Sequence, residues 1–345
     1  MSPFPRFLLP LYPAGLLYLG ASRLRALWYE RLSTPIDLGR PTISVGNLSF
    51  GGTGKTPVSI ALAQMLSQML AERGLTPAIL LRGYGRTTRG ALMVAAGSSP
   101  EEVGDEALLL ARRLPGVAVI VGERREEAAA LAPPSAGAFV LDDAFQHLRV
   151  RRDADLLLVD ASRPGDLHAP PLGRLREPPS AARRASAILV TRGEAGDLPK
   201  ALRPFVGSKP LLGARFSWAP EPRGTGAFTS WSALARVPIV AFAGIGHPAA
   251  FFAQAEGLGL IISAEVIFPD HARANAARLA QILKEALAAK AGAVLTTEKD
   301  AVKWGSIWPG DAPPLVYPVQ EVELSGDIGG LRTILAAACA RGVGP

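Results

Sequence analysis

Lys55 and Thr56 end a glycine-rich run, Ser49-Phe-Gly-Gly-Thr-Gly-Lys-Thr56, and these residue types at this spacing can hold a polyphosphate. Backbone N–H groups of such a turn, with those of the helix that follows, point at an anion, and glycine lets the backbone approach it closely. An ammonium at position 55 would reach the β- and γ-phosphates, and a hydroxyl at 56 would join the shell of Mg²⁺. The nucleotide-binding residues expected are therefore Ser49, Phe50, Gly51, Gly52, Thr53, Gly54, Lys55 and Thr56. The strict pattern has Gly where this chain has Ser49, and the Gly51-Gly-Thr-Gly core supplies the freedom that this position lacks. The context agrees: Thr42–Val45 reads as a short buried strand, and apolar residues at 58, 62, 65, 66 and 69 mark one helix face. Pro57 falls in the first helical turn, where its missing N–H costs little, and Gly74 is placed to cap the end.

Val140-Leu-Asp-Asp143 ends a second apolar strand in paired carboxylates, the types and position from which an Asp serves Mg²⁺ beside such a loop. If the strand continued, Asp142 and Asp143 would point to opposite sides. Arg82-Gly-Tyr-Gly-Arg86 follows another strand and sets Arg82 and Tyr84 at the sheet edge where α/β proteins bind ligands; a plain turn reads equally well there. Asp105 opens a helix and by position alone is a cap. His271 is one of four histidines, and pattern alone gives it no role. Arg176 and Glu177 read as a solvated pair in a Pro-rich loop. Gly244–Pro248 and Thr296–Lys303 are turns and polar clusters at strand ends.

The elements that must position these groups alternate from residue 41 onward between strand-like and helix-like segments. Strands are expected at 42–46, 78–82, 117–122, 138–142, 155–160 and 187–192, with helices at 57–73, 104–114 and 123–132. The fold class is therefore α/β: a P-loop NTPase-like parallel sheet with helices on both faces. A smaller α/β lobe follows, with strands at 238–243, 261–267, 293–297 and 315–319 and helices at 248–258, 272–291 and 328–341. The expected division is 1–34, 35–193 and 194–345, with 193–236 irregular and 163–186 an ordered loop over the site.

Of 345 residues, 48% are hydrophobic and 19% charged, a globular balance. The lone Cys339 excludes a disulfide framework and a cysteine-based zinc cluster. A net charge of +7 suits an anionic partner, and without interleaved aromatic and basic residues nucleic acid is not that partner. Phe7–Ser22 is uncharged and apolar, is broken by Pro10 and Pro13, and is flanked by Arg6, Arg23, Arg25, Trp28, Tyr29 and Arg31. Sixteen residues with two prolines are too short and too broken for a clear transmembrane helix. They instead describe a segment lying in a membrane surface, or a helix packed on its own domain, with spanning left open. A cofactor-chaperone NTPase would want metal-relaying Cys or His beside the nucleotide, and a binding module without turnover would not need this set of acidic residues with the loop.

Taken together the motifs resemble the tetraacyldisaccharide 4′-kinase family, the lipid A precursor kinases of Gram-negative bacteria. The resemblance rests on Val45–Pro57, Arg82-Gly-Tyr-Gly85, Gly104-Asp-Glu106, Asp142-Asp143 with Gln146-His147, Leu175-Arg-Glu177, Ala243–Pro248, Asp270-His271, Thr297–Lys303 and Leu324-Ser-Gly326, in family order over nearly the whole chain. It implies transfer of the ATP γ-phosphoryl group to the 4′-hydroxyl of a tetraacylated glucosamine disaccharide 1-phosphate. It makes Asp105 and His271 an acid–base pair, with Lys55 as the third catalytic group. It gives Thr56, Asp142, Asp143 and Glu177 to Mg²⁺, and Arg82, Tyr84 and Arg176 to the substrate. The cofactors implied are ATP and Mg²⁺, and the implied partners are the acylated disaccharide phosphate and lipids of the inner-membrane surface, on its cytoplasmic face.

Overall fold

The computed structural model describes residues 11–226, 228–270 and 272–340. Residues 1–10, which include the start of the apolar stretch Phe7–Ser22, and His271 thus lie outside the described residues.

Seven strands run between residues 42 and 191: β1 (Thr42–Asn47), β2 (Thr76–Leu81), β3 (Leu92–Met93), β4 (Ala118–Val121), β5 (Ala136–Asp142), β6 (Ala154–Asp160) and β7 (Ala187–Thr191). They continue as β8 (Leu211–Trp218), β9 (Arg223–Gly224), β10 (Pro238–Ala243), β11 (Ile261–Ile267), β12 (Ala293–Thr296), β13 (Leu315–Tyr317) and β14 (Gln320–Gly326). Nine of them form one sheet in the order β14-β8-β7-β6-β1-β5-β2-β4-β3, parallel from β8 to β4. Only the edge strands β14 and β3 run antiparallel to their neighbours. β1, β5, β6 and β7 are buried throughout or nearly so, as expected for parallel strands covered on both faces. The helix Lys55–Leu70 packs Val58, Leu62 and Leu66 onto one face, and on the other Leu157, Val159, Ile188 and Val190 meet Leu19 of the N-terminal helix.

The second sheet has the order β11-β10-β12-β13-β9 and its own apolar layers on both faces. The division expected after residue 193 is not where the sheets part. β8, β14 and the final helix Ile328–Ala340 all belong to the first sheet and its core. The chain leaves that sheet after Trp218 and returns at Gln320, so the smaller lobe is an insertion carried on the antiparallel pair β8–β14. β8 was hidden in the stretch expected to be irregular, because Gly213, Arg215 and Ser217 interrupt its apolar run.

Residues 12–32 form one helix that packs Gly15, Leu19 and Ala26 inward. At Gly15 a Cβ would lie 1.6 Å from the Pro170 carbonyl oxygen, so only glycine lets the helix sit this close. Ser22 donates to the Arg176 carbonyl at 2.9 Å. The outer face leaves Leu16, Leu17, Leu24, Trp28 and Leu32 more than half exposed. The segment therefore packs on its own domain, one of the two sequence readings, while its outer face presents apolar surface. No helix among the described residues is long and apolar enough to cross a membrane.

Candidate active site

The central strand β1 delivers the glycine-rich turn to the helix Lys55–Leu70. Gly51 (φ +110°) and Gly54 (φ +82°) take backbone conformations that disfavour any side chain, and a Cβ on Gly54 would also collide with the Phe216 ring. The turn is anchored from the Pro-rich loop: Phe50 N–H donates to the Arg174 carbonyl at 2.7 Å, and Arg176 N–H donates to the Leu48 carbonyl at 2.6 Å. Ser49 is buried in this bridge opposite Leu175, so it shapes the turn rather than facing the cleft. Phe50 through Thr56 do line it.

The cleft lies between the lobes with a volume of about 1620 Å³, more than the roughly 300–1,000 Å³ of an ordinary small-ligand pocket. Arg82, Tyr84, Asp142, Asp143 and Arg176 share its wall with the turn. Arg82 and Tyr84 stand exposed there, which suits binding rather than support.

The two aspartates do not diverge as a continuing strand would make them. β5 ends at Asp142, and Asp143 turns into the left-handed region (φ +48°), which Asp tolerates better than most residues. Asp142 Oδ1 accepts from the Ser59 hydroxyl at 2.8 Å, on the helix one turn beyond Lys55. Asp143 Oδ1 sits 3.6 Å from Lys55 Nζ and 2.9 Å from Arg176 Nη1. Their protonation differs accordingly. Burial, together with the charges of Glu106 and Asp143, pushes Asp142 up to about 6. Burial acts on Asp143 too, but Lys55 and Arg176 outweigh it and hold that carboxyl below its usual range. His147, also in the cleft wall, is pushed down to about 4 by burial and the nearby arginines Arg125, Arg82 and Arg152, and is neutral at pH 7.

Glu177, expected among the metal ligands, is not in the cleft wall. It is buried and receives Arg184 Nη2 at 2.9 Å, while that guanidinium lies over the Phe145 ring. Serving a metal would require breaking this pair.

Asp105 is 7% exposed at the start of the helix Asp105–Arg113, following Gly104 (φ +89°). It stands just behind the cleft wall, whose surface there is made by Glu106, Lys299 and Asp270. Lys299 Nζ is 4.0 Å from Asp105, 3.2 Å from Glu106 and 3.6 Å from Asp270. Lys299 thereby links Asp105 to Asp270, the residue before His271, across the lobes.

Sequence reasoning missed Ser59, Arg125 and Arg192. Arg125 is 1% exposed and lines the cleft, donating to the Gly122 carbonyl at 2.8 Å; burial lowers its pKa to about 10, which leaves it cationic. Arg192 directly follows β7, pairs with Asp160 and donates to the Gly52 carbonyl at 3.3 Å. Its place at the C-terminal end of a parallel strand was the available signal.

A glycine-rich phosphate loop on the central strand of a parallel sheet, with an acidic strand end beside it and a second lobe closing the cleft, defines a P-loop phosphotransferase. Residues 7–339 match the family model described as tetraacyldisaccharide-1-P 4′-kinase. The tetraacyldisaccharide 4′-kinase of Anaeromyxobacter dehalogenans (strain 2CP-C) is 40% identical over 311 residues, covering 85% of this chain and 80% of that protein. The corresponding kinase of Dechloromonas aromatica is 41% identical over 319 residues, covering 91% and 88%. The crystal structure of LpxK from Aquifex aeolicus in complex with ATP superposes with a TM-score of 0.75 at 28% identity, covering 96% of this chain and 98% of that one. The chain belongs to the tetraacyldisaccharide-1-phosphate 4′-kinase family, the ATP-dependent kinases of lipid A biosynthesis.

Proposed function

We propose that the cleft transfers the γ-phosphoryl group of ATP to the 4′-hydroxyl of a tetraacylated glucosamine disaccharide 1-phosphate at a membrane surface. The observation that carries this reading is the pairing of Lys55 with Asp143 at the mouth of the glycine-rich turn, in a cleft large enough for two ligands. Nucleotide phosphates entering the turn would compete with Asp143 for the ammonium, and backbone N–H groups of residues 51–56 would hold the β- and γ-oxygens. Phosphoryl transfer asks mainly for positioning and charge stabilisation, and Lys55, Arg176 and Arg82 supply the charge.

The available donors fit Mg²⁺. Thr56, Asp142 and Asp143 offer only oxygen, which a hard cation prefers. Among the described residues no cluster of three or more His, Cys, Asp or Glu stands ready to hold a metal alone, so these residues would hold an ion brought by the phosphates. Bound there, Mg²⁺ would neutralise charge on the transferring group.

Asp105 and His271 form the acid–base pair of this reading. The imidazole takes the hydroxyl proton, and Asp105, set behind the wall, stabilises the imidazolium. The acyl chains belong to the bilayer, and the exposed apolar face of residues 12–32 beside the cleft would rest in the surface of the cytoplasmic leaflet of the inner membrane. Transfer of label from γ-labelled ATP to a lipid-extractable disaccharide tests the reaction. Release of label only as free phosphate would refute it.

A further inference from the structure

The geometry points to Lys303, seconded by Lys299, as the positioning residue that keeps Asp105 ionised and in place, so that the acid–base apparatus is complete only when the second lobe is docked on the first. The inference rests on the role proposed above for Asp105.

Both lysines lie on the helix Glu298–Trp304, which follows β12 in the second lobe. Their i,i+4 spacing puts them on one face of that helix, and that face meets the start of the Asp105 helix. Lys303 Nζ is 3.9 Å and Lys299 Nζ 4.0 Å from Asp105 Oδ2. Asp105 Oδ1 accepts from the N–H of Glu106 at 3.1 Å. The carboxylate is therefore held by a backbone donor on its own lobe and by two ammoniums from the other.

The lysines differ in how firmly they are fixed. Lys303 is 8% exposed, and its ammonium is 2.7 Å from Asp300 Oδ1. Asp300 is itself pinned: its Oδ2 accepts from Gly244 N–H at 2.8 Å and from the Thr297 hydroxyl at 2.7 Å. The ends of β10 and β12 thus set the position of the Lys303 charge. Lys299 is more exposed and is shared among Asp105, Glu106 and Asp270. The same helix pair is clamped at its far end, where Arg113 Nη1 meets both Glu298 oxygens at 3.1 and 2.8 Å and also donates to the Gln320 carbonyl.

Among the described residues, the charges around Asp105 are Glu106 on its own helix, Lys299 and Lys303 on the opposing one, and, paired with those lysines, Asp270 from the loop after β11 and Asp300. Three carboxylates and burial favour the neutral acid, and the two lysines oppose them. Removing the fixed ammonium while leaving the carboxylates would shift that balance toward protonation. The acid limb of the rate profile would then move to higher pH.

The test compares Lys303→Met, Lys303→Arg and Asp105→Asn in the full chain, by label transfer from ATP to the acyl disaccharide across pH. Lys303→Met is expected to lower kcat by roughly tenfold to a hundredfold, part of the 10²–10⁴-fold that acid–base assistance supplies. Its acid limb should move up by about one pH unit, with KM for ATP unchanged. Lys303→Arg restores the charge and should recover most of both. Lys303→Met with a normal kcat and an unmoved limb, alongside an inactive Asp105→Asn, overturns the lysine assignment alone. A fully active Asp105→Asn removes the acid–base reading and this inference with it. If Lys303→Met does not fold, Lys299→Met, at the more exposed ammonium, should show a smaller upward shift of the same limb, and an unmoved limb there overturns the proposal.

Discussion

Ser59 donates its hydroxyl hydrogen to Asp142 at 2.8 Å, tying the P-loop helix to the end of the neighbouring strand through a carboxyl that burial holds near pKa 6. An unfolded Asp loses its proton near 3.8 and the folded one near 6, so between these values the native state binds more protons. Stability from this group therefore falls as pH rises through that window and stays reduced above it. Asp142→Asn keeps an acceptor for Ser59 and removes the buried charge. In metal- and nucleotide-free protein it should be the more stable form above about pH 6.5, by about 1–3 kcal/mol, with the advantage vanishing near pH 4. Thermal melts across pH check this. A variant less stable than the parent at pH 8 would contradict the assignment of strain to that carboxylate. Phosphoryl transfer should nevertheless be lost, since the same oxygens serve the metal.

Lys55 is expected to divide its role between Asp143 and the incoming phosphates. Lys55→Met should lower kcat by about 10²–10³-fold, the usual cost of removing one preorganised donor to developing charge. The fold should be intact, because among the described residues the ammonium pairs with Asp143 and, at 3.5 Å, the Gly51 carbonyl, both at the mouth of the turn rather than in the core. Single-turnover transfer measurements check it; a variant within threefold of the parent would exclude Lys55 from the phosphate site.

Gly15→Leu should lift the N-terminal helix from the Pro170 segment, because even a Cβ there meets backbone rather than a yielding side chain. A destabilisation of about 1–3 kcal/mol is expected from such overpacking. KM for the acyl disaccharide should rise, because Tyr18, Ala21, Ser22 and Arg25 of this helix line the cleft. Unchanged melting and unchanged KM would show that the close approach carries no constraint.

The outward leucines bear a separate prediction. Leu17 and Leu24 are 75% and 69% exposed, so replacing both with Asp should leave melting and ATP affinity unaltered. Binding to anionic vesicles should fall by roughly tenfold or more, since each buried leucine contributes about 1.5–3 kcal/mol. Flotation assays read it, and undiminished vesicle binding would remove this face from membrane contact.

The fold was legible where the physics is local. Strand, glycine turn and amphipathic helix at 42–70 follow from spacing and backbone freedom, and β5 with its acidic end follows from an apolar run that stops. What stayed hidden depended on long-range pairing. β8 and β14 are half-exposed, interrupted strands whose partner lies a hundred residues away, so no local period marks them. For the same reason the division at 193 separated β8 from the sheet it joins. At the site, Lys55 and Asp143 were predicted from type and position and do meet. Glu177 was assigned through resemblance, and its pairing with Arg184 could not be read from a Pro-rich loop. Lys299 and Lys303 belong to a recognised motif, but their approach to Asp105 exists only once two lobes are packed.

The most direct test of the central claim is label transfer from γ-labelled ATP to the acyl disaccharide by the parent protein and by Asp105→Asn under matched ATP saturation. The account predicts labelled lipid from the parent and a loss of about 10²–10⁴-fold in the variant with ATP binding retained. Equal transfer by the two proteins, or label recovered from the parent only as inorganic phosphate, would contradict it.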